Sequence, residues 1–332
     1  MDLYKTLSSK PRQFLACTGM SLVQFQQHLP QLSACCQAQE VTRKQVVVQT
    51  GKPRRRLPGG GGQYAHDVPN RLLMLLLYYR LYLSQDFMTL LFNGCHKSSI
   101  SRAIAMMRPV FESVLPTPER ALNRILDLAD KAQKHRRIGN LDEFRAHYPE
   151  LTILIDGVEQ PRQRSQDKKK QRDDYSGKKK RHTRKQIITT TPSGIIIDQS
   201  PSTGGRTHDF ALFKRDQAER SPYNRFEGFR VTGYVDGGFQ GIKDLNLPID
   251  IKQVERARRN HPLTPYQKQI NHLRSQKRIA VEHTISRRKK YRIADHTYRN
   301  HDDLYDKAMS IVAGLVNLRA YERIEKMTGL TI

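Results

Sequence analysis

Acidic residues are scarce in this chain. Its 332 residues hold 32 Asp and Glu against 58 Lys and Arg, a formal net charge of +26 that goes far beyond what solubility requires. The excess is spread from Arg54 to Arg323 and not confined to one tail, so a polyanion, nucleic acid first, is the expected partner. Long apolar runs are also missing. The longest, Leu72 to Tyr79, is held between Arg71 and Arg80 and is too short to span a bilayer, which sets a membrane partner aside. The first residues lack the order of charged, apolar and small segments that a secretory signal needs. Cys17, Cys35, Cys36 and Cys95 contain no Cys-x-x-Cys pair, so neither a zinc knuckle nor a disulfide framework is indicated and a reducing cytoplasm is the expected setting.

What is present begins with a helical lead-in, residues 1–50. Ser21 and Gln24 are spaced as a capping box, with Leu22, Phe25 and Leu29 on one stripe. Residues 51–66, Gly51 to Pro58 followed by Gly59 to Gly62, read equally as a flexible basic linker and as an arm that grips phosphates. Over 67–115 the pattern becomes helical. Pro69 suits a first helical position, and Leu72 to Leu83 is apolar nearly all round, which predicts a buried helix. The stretches Asp86–Phe92 and Lys97–Ile104, joined by a turn containing Gly94, have the layout of a helix-turn-helix with Phe87, Leu91, Ile100 and Ile104 inward. Its outer face would offer Lys97, Ser99, Ser101 and Arg102 to DNA. Residues 116–150 read as a connecting helical region ending at Pro149.

The stretch Leu151 to Gly157 is an apolar run closed by Asp156 and a glycine. It predicts a buried strand with an acid at its carboxyl end, although Asp before Gly also suits a turn. From Arg162 to Lys185 there are twelve cations in twenty-four residues, among them Lys168, Lys169, Lys170, Lys178, Lys179 and Lys180. Such a segment is expected to grip phosphates and, up to Gly177, to be mobile without DNA. Paired strands are predicted on either side of Pro192-Ser193-Gly194, then a helix from His208-Asp209, then a strand, Phe229 to Val235, that ends again in Asp-Gly at Asp236. Asp198 and Asp209 are rival carboxylates, each a metal ligand or an N-cap, with capping preferred for Asp209. His208 is a candidate for a supporting role behind the acids.

A third acid sits in a basic helix from about Pro265 to Lys290. At about 100° per residue, Arg278, Glu282 and Lys289 share one face. A glutamate among cations also suits plain surface pairing. Here Val281 and Ile285 bracket it and two acids precede it, which favours an active site. Carboxylates around a divalent pair can activate an attacking oxygen and stabilise a leaving one. An all-oxygen donor set points to Mg²⁺ at two positions, with Mn²⁺ tolerated. The segment with Leu304, Ala308, Ile311, Val312, Leu315 and Val316 reads as a core-covering helix.

Four stretches carry a family likeness: Ile155 to Pro161, Tyr175 to Thr183, Gly233 to Gly241, and Val281-Glu282-His283. From about Leu72 to Leu318 the chain resembles bacterial insertion-sequence DDE transposases of the branch related to Harbinger elements. The resemblance implies an α/β fold with a ribonuclease-H-like core over 151–320, preceded by an all-α helix-turn-helix domain and followed by a tail, 321–332. It implies Asp156, Asp236 and Glu282 as the catalytic, metal-holding triad. The family's Tyr-Arg-Glu-Lys signature is met by Arg278, Glu282 and Lys289, with Ser275 where tyrosine would stand. Arg278 and Lys289 then hold phosphates of double-stranded DNA, both terminal inverted repeats and target, in a homodimer or larger assembly at the nucleoid. The rival expectations are a DNA-binding protein that no longer cuts and a metal-dependent nuclease that cuts without joining.

Overall fold

The structure, a computed structural model, describes residues 2–49, 66–134, 151–257 and 262–328. The expected linker at Gly51 to Gly62 and the boundary at Pro149 lie outside the described residues. The chain forms two compact units, Met1–Leu115 with Tyr291–Ile293, and Pro116–Lys290 with Ala294–Ile332.

The first unit is helical: α1 (Leu3–Ser8), α2 (Pro11–Thr18), α3 (Leu22–Gln49), α4 (Val68–Leu81), α5 (Gln85–Leu91) and α6 (Lys97–Val114). The capping box at α3 is present, since Gln24 N donates to Ser21 Oγ at 3.2 Å and Ser21 N donates to Gln24 Oε1 at 3.4 Å. Asp67 caps α4 and Pro69 sits in its first turn. Asn70 to Tyr79 is buried without a break, as an all-round apolar helix requires. Between α5 and α6 the chain reverses through Asn93 and Gly94, both at positive φ. Ile100 and Ile104 are buried as expected, but Phe87 is 50% exposed and the buried residues of α5 and its cap are Met88 and Phe92. The inward stripe is shifted by one position. Ser84, as N-cap, sets where the short helix starts and so which side chains turn inward.

The second unit is a mixed sheet between helices. In chain order it contains α7 (Pro118–Lys134), β1 (Leu151–Pro161), α8 (Lys168–Asp174), β2 (Tyr175–Ser176), β3 (Arg181–Thr190), β4 (Ile196–Gln199), β5 (Thr203–Gly204), α9 (Asp209–Arg220), β6 (Val231–Val235), β7 (Asp250–Gln253), α10 (Pro265–Lys289) and α11 (Tyr305–Thr328). The main strand order is β2-β3-β1-β6-β7, with β4 and β5 also paired to β3. β1 runs antiparallel to β3 and parallel to β6. One face is covered by a cluster that includes Ile153, Ile155, Phe213, Val235 and Phe239, to which α7 adds Ala121 and Leu122. On the other face Leu154, Val158 and Ile188 enclose Val281 of α10. Burying each such side chain stabilises the unit by roughly 1.5–3 kcal/mol.

Three sequence expectations are corrected here. β1 does not stop at Gly157 but continues to Pro161, because β3 goes on pairing with it as far as Thr183. The cationic segment is not without structure up to Gly177, since Lys168–Asp174 is a helix capped by Asp167. Cation repulsion is offset by acids from near and far: Arg162 pairs with Asp174 at 3.0 Å and with Asp302 at 3.1 Å, and Arg184 with Asp302 at 3.0 Å. Finally, α11 runs on to Thr328, with Tyr321 and Ile324 packed on the core, so no separate tail begins at residue 321.

Candidate active site

Two parallel strands bring the first two acids together. Ile155 of β1 lies opposite Val235 of β6, so Asp156 and Asp236 are the next residues on neighbouring strands, at the point where β1 outruns β6. Carboxyl ends of parallel strands are where open α/β sheets present their chemistry. The guanidinium of Arg278, on α10, lies between the two acids: Nη1 reaches Asp236 Oδ1 at 3.0 Å and Nη2 reaches Asp156 Oδ2 at 3.5 Å. Asp156 also accepts from its neighbour, Gly157 N, at 2.8 Å.

The two carboxylates differ in their surroundings. Asp156 has 22% of its side chain exposed and Asp236 51%. Burial pushes the Asp156 carboxyl up to about 6, with Asp236 and Asp209 adding to the rise while Arg278 and the Gly157 amide oppose it. Taking charge out of water disfavours the ionised form, and here that outweighs one nearby cation.

The position of α10 follows from its own residues. Thr264 and Gln267 close a capping box with Pro265 behind it. Val281, Thr284 and Arg288 are the buried positions. Arg288 is fully buried and donates through Nη2 to Gln186 Oε1 at 3.1 Å, on the central strand β3. With that face fixed inward, Arg278 turns toward the acids. Glu282 is four residues on and exposed, and Lys289 is exposed as well. Among the described residues, no three His, Cys, Asp or Glu side chains come close enough to hold a metal ion. The structure therefore joins Asp156, Asp236 and Arg278, and leaves Glu282 on the same helix but apart. The donor set is nonetheless all carboxylate oxygen, and its two nearest members already hold a cation in common, which suits a hard divalent ion.

Asp209 is closer to the acids than its reading as a cap implied. His208 caps α9, its Nδ1 accepting from Phe210 N at 3.3 Å, while Asp209 lies over Gly157, where a Cβ would stand 2.8 Å from the Asp209 Cγ. Only a glycine leaves room for that approach. Lys185 holds Asp209 there: its Nζ is 2.9 Å from Asp209 Oδ1, 3.0 Å from Glu159 Oε1 and 2.7 Å from the Thr207 carbonyl, to which it donates. Neither Lys185 nor Glu159 was singled out in the sequence. The signal was the strand parity that sets Glu159 opposite Lys185, hidden inside a run of cations. Asp198, the other rival, is taken up by Arg220 at 3.1 Å.

The expected DNA contacts are on the surface. Lys168, Lys169 and Lys170 are exposed on α8, and Lys178, Lys179 and Lys180 in the turn before β3. In the first unit Ser101 and Arg102 are exposed and Ser99 half-buried; Lys97 is also exposed but pairs with Asp86 at 2.8 Å.

Residues 155–317 match the model of the DDE superfamily endonucleases. Residues 155–317 are a domain of that superfamily. Its α/β core is therefore ribonuclease-H-like, and the chain is an enzyme of the nuclease and transposase class. It is similar to the probable transposase for insertion sequence element IS702 of Microchaete diplosiphon, with 25% identity over 274 residues, 82% of this chain and 87% of the relative. No solved structure matches. Among the described residues, no helix of this DDE protein is long and apolar enough to cross a membrane.

Proposed function

We propose that this chain cuts DNA at the ends of a mobile element and joins the freed 3′ hydroxyl to target DNA at the same site. The observation that carries the reading is the pairing of Asp156 and Asp236 at adjacent parallel strand ends around one shared cation. Asp156, Asp236 and Glu282 would hold Mg²⁺, which when bound activates an attacking oxygen and neutralises a leaving one. Arg278 supplies the counter-charge that lets both aspartates stay close, and with Lys289 it binds phosphate oxygens of the substrate. Lys168 to Lys170 and Lys178 to Lys180 hold the backbone, and residues 67–115 read the terminal inverted repeats through Lys97, Ser99, Ser101 and Arg102. The chain acts at the nucleoid as a homodimer or larger assembly, because joining requires two ends.

One observation favours a second reading, a DNA-binding protein that no longer cuts: Glu282 is exposed and apart from the two aspartates. A supercoiled plasmid carrying the element ends, incubated with Mg²⁺ and scored separately for nicked and joined products, separates the readings. Both products, each lost with EDTA, are expected. Nicks without joints leave a plain nuclease, and neither product with binding intact leaves the binding protein.

A further inference from the structure

Beside the exposed lysines, the second unit contains a cavity of about 1050 Å³. Arg164, Lys168, Arg172, Arg206, Tyr175 and His182 line it, and no carboxylate does. Of the nearby acids, Asp173 is exposed on α8 and the others are engaged elsewhere. Asp174 and Asp302 pair with Arg162 and Arg184, and Asp167 accepts from the backbone of α8 at Lys169 and Lys170. Among the described residues, Lys168, Arg172 and Arg206 make no ion pair. The cavity is also built: Arg206 comes in on a loop whose Gly204 and Gly205 pack so closely on Asp173 and Thr183 that a Cβ at either would collide, and Arg206 N donates to the Asp173 carbonyl at 3.1 Å.

One wall is aromatic. Tyr175 pairs across strands with His182, their ring centroids 5.7 Å apart at 73°, and 43% of Tyr175 remains exposed. Uncompensated cations around an exposed, cross-strand-braced aromatic ring are what a single strand uses, with phosphates on the cations and a base on the ring. A base still paired and stacked in a duplex is not free to lie on the Tyr175 ring, whereas an unpaired or extruded one is.

We infer that this cavity takes an unpaired nucleotide of the DNA strand, its base on Tyr175 and its phosphates on Arg172 and Arg206. The inference rests on the proposal that the chain handles DNA, and deepens it by naming unpaired DNA as a recognised feature.

The test uses the full chain in EDTA, so that binding is read without chemistry, and fluorescence anisotropy on a short duplex that is either fully paired or carries a central mismatched bubble. The bubble should bind at least about 5-fold tighter. Tyr175→Ala should weaken the bubble complex by about 5- to 150-fold, the contribution of one stacked base, and leave the paired duplex unchanged, while Tyr175→Phe retains the preference. Arg172→Ala with Arg206→Ala should flatten the slope of log bubble affinity against log salt by about 1.4, at about 0.7 for each single-strand phosphate contact. Equal binding of both DNAs by the unaltered chain, equal loss on both in Tyr175→Ala, or an unchanged slope would overturn the inference. Failure of the plasmid assay with the bubble preference intact would instead remove only the cutting reading.

Discussion

Two of the aspartate–arginine–aspartate bridges in the second unit, those of Arg220 and Arg278, are built differently. Arg220 joins Asp198 of β4 to Asp216, four residues before it on α9, through several hydrogen bonds, with Nη2 2.7 Å from Asp216 Oδ2 and 3.1 Å from Asp198 Oδ2. Those two acids are 17% and 7% exposed. Arg278 joins Asp156 to Asp236 more loosely, at 3.5 and 3.0 Å, with Asp236 half in solvent. Its Nε is buried and has no hydrogen-bond partner among the described residues. The first bridge ties a helix to the sheet and has no spare capacity. The second gathers charge at strand ends, where a substrate or a metal can compete for it. The same three residue types thus serve packing in one place and chemistry in the other, and what separates them is exposure and the number of hydrogen bonds made.

The largest expected contrast is with pH. The Asp156 carboxyl is pushed up to about 6 from 3.8, mainly by burial, so its neutral form is favoured in the folded chain. The stability it contributes is present below about pH 4 and lost as pH rises through about 6, on the order of 3 kcal/mol in all. In EDTA, the stability difference between the unaltered chain and Asp156→Asn, followed by chemical denaturation, should therefore shift in favour of the variant over that window. Parallel curves would mean that Asp156 is solvated. Burial also raises the Asp198 carboxyl, against Arg220, but the variant difference isolates Asp156.

Next in size, Asp216→Ala should cost about 2 kcal/mol in denaturant unfolding. Stranding one partner of a fully buried pair costs about 3–5 kcal/mol, and the discount reflects the 35% exposure of Arg220. Smallest is Asp236→Ala, which should cost less than about 1 kcal/mol because its pair is half-exposed. Equal losses in the two variants would erase the distinction between the bridges.

Much of this was legible in the chain itself. The apolar runs before Asp156 and Asp236 mark two strands, and the basic stretch from about Pro265, with Arg278, Glu282 and Lys289 on one face, marks α10. Local signals did not carry the rest. β1 runs past Gly157 because of its partner, and a pairing partner is not a local property. The folding of the cationic segment depends on Asp302, more than a hundred residues away in sequence. The short strands β5 and β7 have too few residues to show a period. Asp209 looked like a cap because it precedes a helix, yet the cap is His208, and only Gly157 and Lys185 show where the Asp209 carboxylate goes.

The central claim is that Asp156, Asp236 and Glu282 carry DNA cleavage although only the first two meet in the structure. Nicking of a plasmid bearing the element ends, with Mg²⁺, by Asp156→Ala, Asp236→Ala and Glu282→Ala tests it most directly. Each variant is expected to lose cleavage while binding end DNA in EDTA as the unaltered chain does, and full cleavage by any one of the three would contradict the assignment.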